Sequence, residues 1–255
     1  MRTQFYCFRQ VAFGLLSALL LPLLAQSQTS GYQQPDPILK KVIDAAPAPR
    51  TSLDPTGTVL LLQDYSSYPP LRELAETELR IGGLRINPAL FGPSRRSVAT
   101  GLHLLPVAGG NPTPVTGLPA SPRLGNARWS ADGKYIACTH EAETGIELWL
   151  VEVATASAKR LVGPTLNATM GSPITWLPDG QHLLVKLRAT EGLTLPTETT
   201  LPTGPAIQDN LAGAVAPNRT YQDLLKNPAD EQRFSYYTQS QLVELDLAGN
   251  QKPLG

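Results

Sequence analysis

Cysteine is nearly missing from this chain, which has only Cys7 and Cys138 in 255 residues. Cys7 falls in a segment read below as removed, so one thiol is left and no internal disulfide can form. An excess of either charge is also absent: 21 basic residues face 21 acidic ones. That balance excludes the basic surface that a nucleic acid or an anionic membrane would need. Catalytic signatures are lacking too, with no G-x-S-x-G elbow, no H-E-x-x-H and no P-loop. The histidines, His103, His140 and His182, share no spacing. No catalytic residue, no metal site and no cofactor is therefore expected.

Long apolar runs are scarce as well. The one substantial run, Val11 to Leu24, has fourteen residues and contains Pro22, whereas a bilayer span takes about 20. Arg2 and Arg9 precede it, and Ala25 and Ser27 follow as a small-x-small cleavage site. Residues 1–27 read as an export signal, and the product as periplasmic or secreted, with no membrane contact once the signal is gone. Cys7 lies before the run, not after it, so it is poorly placed for lipid attachment. Removal of Arg2 and Arg9 leaves a formal charge of −2.

What the chain has in quantity is proline and glycine, 24 and 21 respectively. With few long helical patterns, they favour an all-β fold of short strands and turns. The phrase WSADGKYIAC at 129–138 returns as WLPDGQHLLV at 176–185 and as LDPTGTVLLL at 53–62. Each copy has a bulky residue (Leu53, Trp129, Trp176), a turn with a fixed glycine (Gly57, Gly133, Gly180) and an apolar run. Glycine accepts positive φ in such a reversal without a Cβ clash. The runs VLLL, YIAC and HLLV are continuous enough to be strands buried on both faces.

A second shared element follows each phrase, at 102–116, 146–162 and 241–254, and reads as a β-hairpin. The middle copy runs uninterrupted from phrase to hairpin. The other two carry insertions of about 30 and 47 residues, and discounting them leaves one period of about 47. A turn, strand and hairpin at that period is a four-stranded propeller blade. The expected fold is an incomplete β-propeller over 53–255, with blade units at about 53–117, 129–163 and 176–255, after a leader at 28–52. Rings close with about 4 to 8 blades, so three units are expected to leave the ring open. Open blade edges would then favour self-association.

The insertions carry short helices in this reading. PLRELAETELRI at 70–81 places Leu71, Leu74, Ala75 and Leu79 on one helical face, with Glu76 and Arg80 as an i,i+4 pair. Around it gather Arg72, Arg80, Arg85, Arg95 and Arg96, mostly solvated in expectation. TLPTETTLPTGPAIQ at 194–208 reads as extended chain. Thr220 would cap a helix bearing Tyr221, Leu224 and Leu225, with Asn227-Pro228 as its stop. In the leader, Asp36 caps a helix whose first residue is Pro37. His140, Glu141 and Glu143 read as a solvated loop after a strand. Asn167-Ala168-Thr169 and Asn218-Arg219-Thr220 match glycosylation sequons.

ELRIGGLRINP (78–88), TGLHL (100–104), GLPA (117–120) and RTYQDLLKNPADEQRFSYYTQSQLV (219–243), with the repeated phrases, resemble the N-terminal propeller region of the prolyl oligopeptidase family. Within it the likeness is to the glutamyl endopeptidase branch. The resemblance spans about residues 35–255, and the 219–228 segment is its most specific part. It implies a propeller that gates peptide access to an α/β-hydrolase domain carrying a Ser-Asp-His triad. That domain is absent from these residues, so the chain is expected to be inactive alone and no catalytic residue carries over. A glutamyl-specific relative needs a cation for the substrate carboxylate, and Arg80 and Arg85 are the substrate-binding candidates. The peptide substrate is the expected partner. The alternative is a free-standing periplasmic propeller that binds a peptide or protein without chemistry.

Overall fold

The computed structural model describes residues 34–189, 191–196 and 223–254. The export-signal segment, Cys7, most of the 194–208 run and the Asn218 sequon lie outside them. The chain divides into two units, Met1–Ala45 and Ala46–Gly255. In the first, helix α1 (Pro37–Ile43) starts as expected, with the Asp36 carboxylate accepting from the Ile38 N–H at 2.8 Å and proline in the first turn.

The second unit is built from β1 (Arg50–Leu53), β2 (Val59–Tyr65), α2 (Leu71–Leu74), β3 (Leu79–Ile81), β4 (Leu84–Asn87), β5 (Gly92–Pro93), β6 (Ala99–Pro106), β7 (Thr113–Pro114) and β8 (Leu124–Trp129). It continues with β9 (Tyr135–Glu141), β10 (Ile146–Glu152), β11 (Ser157–Leu166), β12 (Ile174–Trp176), β13 (His182–Arg188), α3 (Pro228–Thr238), β14 (Ser240–Asp246) and β15 (Gln251–Pro253). Antiparallel pairing groups these strands into three four-stranded meanders: β1-β2-β6-β7, β8-β9-β10-β11 and β12-β13-β14-β15. Among the described residues the ladders of successive meanders join through single pairs, Ala99 with Leu124 and Leu166 with Leu187, and Thr116 after β7 adds an isolated bridge to Ser157 of β11. These are three propeller blades.

Each repeated phrase is the first hairpin of a blade, and the later element is its second. β1, β8 and β12 end on the residues that open the phrases, Leu53, Trp129 and Trp176. The turns close identically: the N–H of Asp54, Ser130 and Leu177 donates to the carbonyl of Val59, Tyr135 and His182 at 2.8–2.9 Å. Gly57, Gly133 and Gly180 have φ of 75°, 70° and 65°.

Successive blades stack face to face, and the core lies between them. Leu61, Leu102 and Leu104 of the first blade meet Leu124, Ile136, Cys138 and Val151 of the second. Ala137, Ile146, Leu148 and Val162 of the second meet Leu183, Val185, Val243 and Leu245 of the third. Because neighbouring residues of a strand point to opposite faces, β9 feeds both clusters, and Ile136 through Glu141 are all buried. β2 and β13 are less enclosed: Leu61 alone is buried in β2, and only Leu183 and Val185 in β13, the remaining residues of both strands being half-buried. Two-sided burial thus belongs to the middle blade, although all three runs look alike in sequence.

Helix assignments within the insertions need correction. The helix expected over 70–81 lasts only from Leu71 to Leu74, because Gly82-Gly83 turns the following residues into the β3–β4 hairpin. Both glycines have positive φ, 56° and 76°, the geometry of a two-residue turn that matches strand twist. Glu76 accordingly bonds Asn87 instead of Arg80. Asn227-Pro228 starts a helix instead of stopping one: the Asn227 side chain accepts from the Asp230 N–H at 2.9 Å at the head of α3. Leu224 and Leu225 lie outside any helix, and Thr220 and Tyr221 are outside the described residues. The Asn167 sequon is 1% exposed, and its amide donates to the Tyr237 and Gln239 carbonyls, so it cannot accept a glycan.

Candidate carboxylate-binding site on the insertion rim

An antiparallel blade must send its second-to-third and fourth-to-first connections out on one rim. Its first-to-second and third-to-fourth turns go to the other. Both insertions are second-to-third connections, after β2 and after β13, and their described residues share a rim with the short turn 142–145 and the links 115–123 and 167–173. The glycine turns occupy the opposite rim.

On the insertion rim β3, β4 and β5 form a small sheet whose Ile81, Ile86 and Phe91 pack with Tyr237 and Phe234 of α3. The two insertions therefore meet. Gly82 is required at their contact, since a Cβ there would lie 2.6 Å from the Phe234 ring. Arg80 and Arg85 face one another across the hairpin as a direct pair, an arrangement of like charges that is unfavourable without a counterion. Glu78 supplies it. Its carboxylate accepts from Arg80 Nε at 2.9 Å and Ser94 Oγ at 2.6 Å, with Arg95 Nε at 3.4 Å and Arg85 Nη1 at 3.7 Å. These hydrogen bonds, first from Ser94 and then from Arg80, hold the Glu78 carboxyl below its usual range. The three guanidinium side chains remain about half exposed, at 50–54%, while Glu78 is 7% exposed. Arg80 and Arg85 are thus brought together, and Arg95, expected only as one of the mostly solvated arginines of this insertion, joins them.

Beside this cluster runs an alternating chain of charges. Arg96 donates to Glu141 at 2.9 Å, Arg123 to Glu141 at 2.8 Å, and Arg123 lies 3.4 Å from Glu73. Glu141 and Glu73 are 4% and 8% exposed. Burial works against the Arg123 charge, but the two carboxylates outweigh it and raise the pKa. This network ties the first insertion to β9. Arg123 lines two cavities: one of about 720 Å³ with Tyr68, Pro70, Arg95 and Arg96, and one of about 330 Å³ with Arg72, Asn87, Glu141 and Glu143.

Glu141 and its neighbour His140 are not a solvated loop; both belong to β9 and are buried. His140 Nδ1 lies 3.0 Å from Glu147 Oε2, which also accepts from Trp149 Nε1 at 2.9 Å, while Arg160 reaches Oε1 at 2.9 Å. The loop reading holds for Glu143, which is exposed in the turn after β9, and fails for Glu141, whose carboxylate pairs with Arg96 and Arg123. Arg188 is a further cation, half-buried, stacked 4.3 Å over the Phe91 ring and donating to the Leu90 and Thr144 carbonyls. Cys138 is fully buried, which pushes its thiol up to about 12 and leaves it no thiolate character at neutral pH.

Chemically, the rim offers carboxylate recognition, with Glu78 as an observed example of a carboxylate held by it. Among the described residues no group of three or more His, Cys, Asp or Glu side chains could hold a metal ion, and no helix is long and apolar enough to cross a membrane.

No protein-family model matches the chain. Two curated plant proteins do, each described as "Probable glutamyl endopeptidase, chloroplastic". The one from Arabidopsis thaliana is 33% identical over 238 residues, which is 89% of this chain and 25% of that protein. The one from Oryza sativa subsp. japonica is 32% identical over 242 residues, 90% of this chain and 26% of that protein. The chain spans about a quarter of the length of these relatives. Among solved structures, Pyrococcus horikoshii acylaminoacyl peptidase has 15% identity and a TM-score of 0.36, covering 64% of this chain and 21% of that one. By sequence the chain is a relative of the glutamyl endopeptidases of the prolyl oligopeptidase family, and the portion it shares with them is built as β-propeller blades.

Proposed function

We propose that this chain is the propeller portion of an exported peptidase, where it gates the entry of peptides to a serine-hydrolase domain. The observation that carries this reading is the concentration of the described parts of both insertions, the two larger of three cavities and the arginine cluster on one rim of stacked blades whose sequence matches glutamyl endopeptidases. A rim of that kind narrows the approach for folded proteins and leaves room for an extended peptide. Arg80 and Arg85 meet the acidic side chain of the peptide, since a carboxylate leaving water needs a cation in return.

Export to the periplasm or beyond follows from residues 1–27, and self-association from the half-covered faces of the outer blades. The test is recovery of the protein from its host, followed by assay on short peptides containing Glu or Gln and on a folded protein. The reading expects cleavage of the Glu peptide by the fraction that contains this polypeptide, with the folded protein spared. Cleavage of neither peptide, with the Glu peptide still bound, would favour a propeller that binds without chemistry.

A further inference from the structure

The arginine cluster on the β3–β4 hairpin contains its own competitor. We infer that Glu78 is a resident carboxylate that occupies the site in place of an acidic peptide side chain, and that Arg95 is a third member of the site beside Arg80 and Arg85. This rests on the acidic-peptide reading above.

Three arginines surround one carboxylate, so the four side chains carry a net charge of +2. Arg80 and Arg95 both approach Glu78 through Nε. A guanidinium has five N–H donors in a planar fork, so the outward nitrogens of both residues are unclaimed by Glu78. Arg95 is also held at φ 53°, in the left-handed region that a side chain adopts only at a cost. Its neighbour Ser94 is fixed twice, by N–H donation to the Arg85 carbonyl at 2.9 Å and by the hydroxyl bond to Glu78. The turn after β5 therefore points Arg95 at the same carboxylate that the hairpin arginines share.

Two consequences follow. Glu78 relieves the repulsion of the facing arginines when no ligand is bound, and it weakens the site for an incoming acid. The cluster is half exposed and beside the 720 Å³ cavity, which Arg95 also lines, so a peptide side chain can reach it.

The experiment measures fluorescence anisotropy of a labelled hexapeptide with one central Glu, and of its Gln counterpart, against the purified chain at low and high salt. Glu78→Gln keeps the shape and adds one unit of positive charge, equivalent to about a fivefold gain for a carboxylate some 4 Å away in water. The inference expects that gain for the Glu peptide only, its loss at high salt, and weaker binding in Arg95→Met. Unchanged or weaker Glu-peptide binding in Glu78→Gln, with the circular dichroism spectrum intact, overturns it. So does unchanged binding in Arg95→Met, which leaves Glu78 and both hairpin arginines in place and serves if the first variant does not fold. If the Glu peptide binds neither the wild type nor any variant, the acidic-peptide reading falls and this inference with it. Binding that depends on Arg80 and Arg85 but ignores Glu78→Gln removes the inference alone.

Discussion

The indole N–H of Trp129 donates to the hydroxyl of Ser52 at 3.1 Å, from the last residue of one blade's first strand to the residue before the equivalent position of the preceding blade. Trp176 repeats the move one blade later, donating at 2.9 Å to the carbonyl of Arg128. The tryptophan that opens the second and the third phrase is thus a fastener between blades. Trp129→Phe keeps the apolar contact and removes the donor, so the expected cost is that of one hydrogen bond, about 1 kcal/mol. Urea denaturation of the two proteins measures it.

The glycine turns also touch across blades. A Cβ on Gly133 would lie 3.0 Å from Asp54 Oδ2 of the preceding turn, whereas one on Gly57 would meet nothing within 4 Å. Gly57→Ala should therefore cost only the left-handed backbone penalty, about 1 kcal/mol, and Gly133→Ala nearer 2 kcal/mol. Equal losses in thermal denaturation would mean that the turns do not stack.

Asp54 gives the fold an acid-sensitive point. Burial by itself would raise its carboxyl, but hydrogen bonds from the Thr56 hydroxyl and from the N–H groups of Val59, Thr58 and Thr56 outweigh that and hold it at about 2, against 3.8 ordinarily. A depressed carboxylate contributes stability above its unfolded pKa, and that contribution disappears as pH falls through the folded one. The midpoint of urea denaturation should accordingly drop between about pH 4 and pH 2. In Asp54→Asn the wild-type minus variant difference should shrink across that same window.

Much of this architecture was legible in the residues because it is local. A turn such as Ser130–Gly133 closes on its own hydrogen bonds, and the paired hairpins at one period follow from chain connectivity. The β3–β4 hairpin was also written locally, as Gly82-Gly83 between alternating apolar residues, but the helical spacing of the leucines at 71, 74 and 79 competed with it. Asn227-Pro228 repeats the Asp36-Pro37 start signal, and the helix begins there in both cases. What sequence could not show was the partner of each charge. Arg96 and Glu141 are 45 residues apart and Arg123 and Glu73 are 50 apart, so no spacing rule joins them.

The chain Arg96–Glu141–Arg123–Glu73 carries a prediction for that reason. Glu141→Gln leaves two half-buried guanidinium groups short of a charge, with an expected loss of about 3 kcal/mol. Arg123→Met should cost less in the Glu141→Gln background than in the wild type, since the two sites share one network. A double variant as unstable as the sum of the single variants would show that the pair is not coupled.

Hydrogen–deuterium exchange of the backbone tests the stacked-blade account most directly. β9 is covered on both faces by the neighbouring blades, and β2 and β13 are less enclosed. The amides of β9 should therefore exchange last, with those of β2 and β13 clearly ahead of them. Exchange from β9 as fast as from β2 and β13 would contradict the account, because no middle blade would then be enclosed.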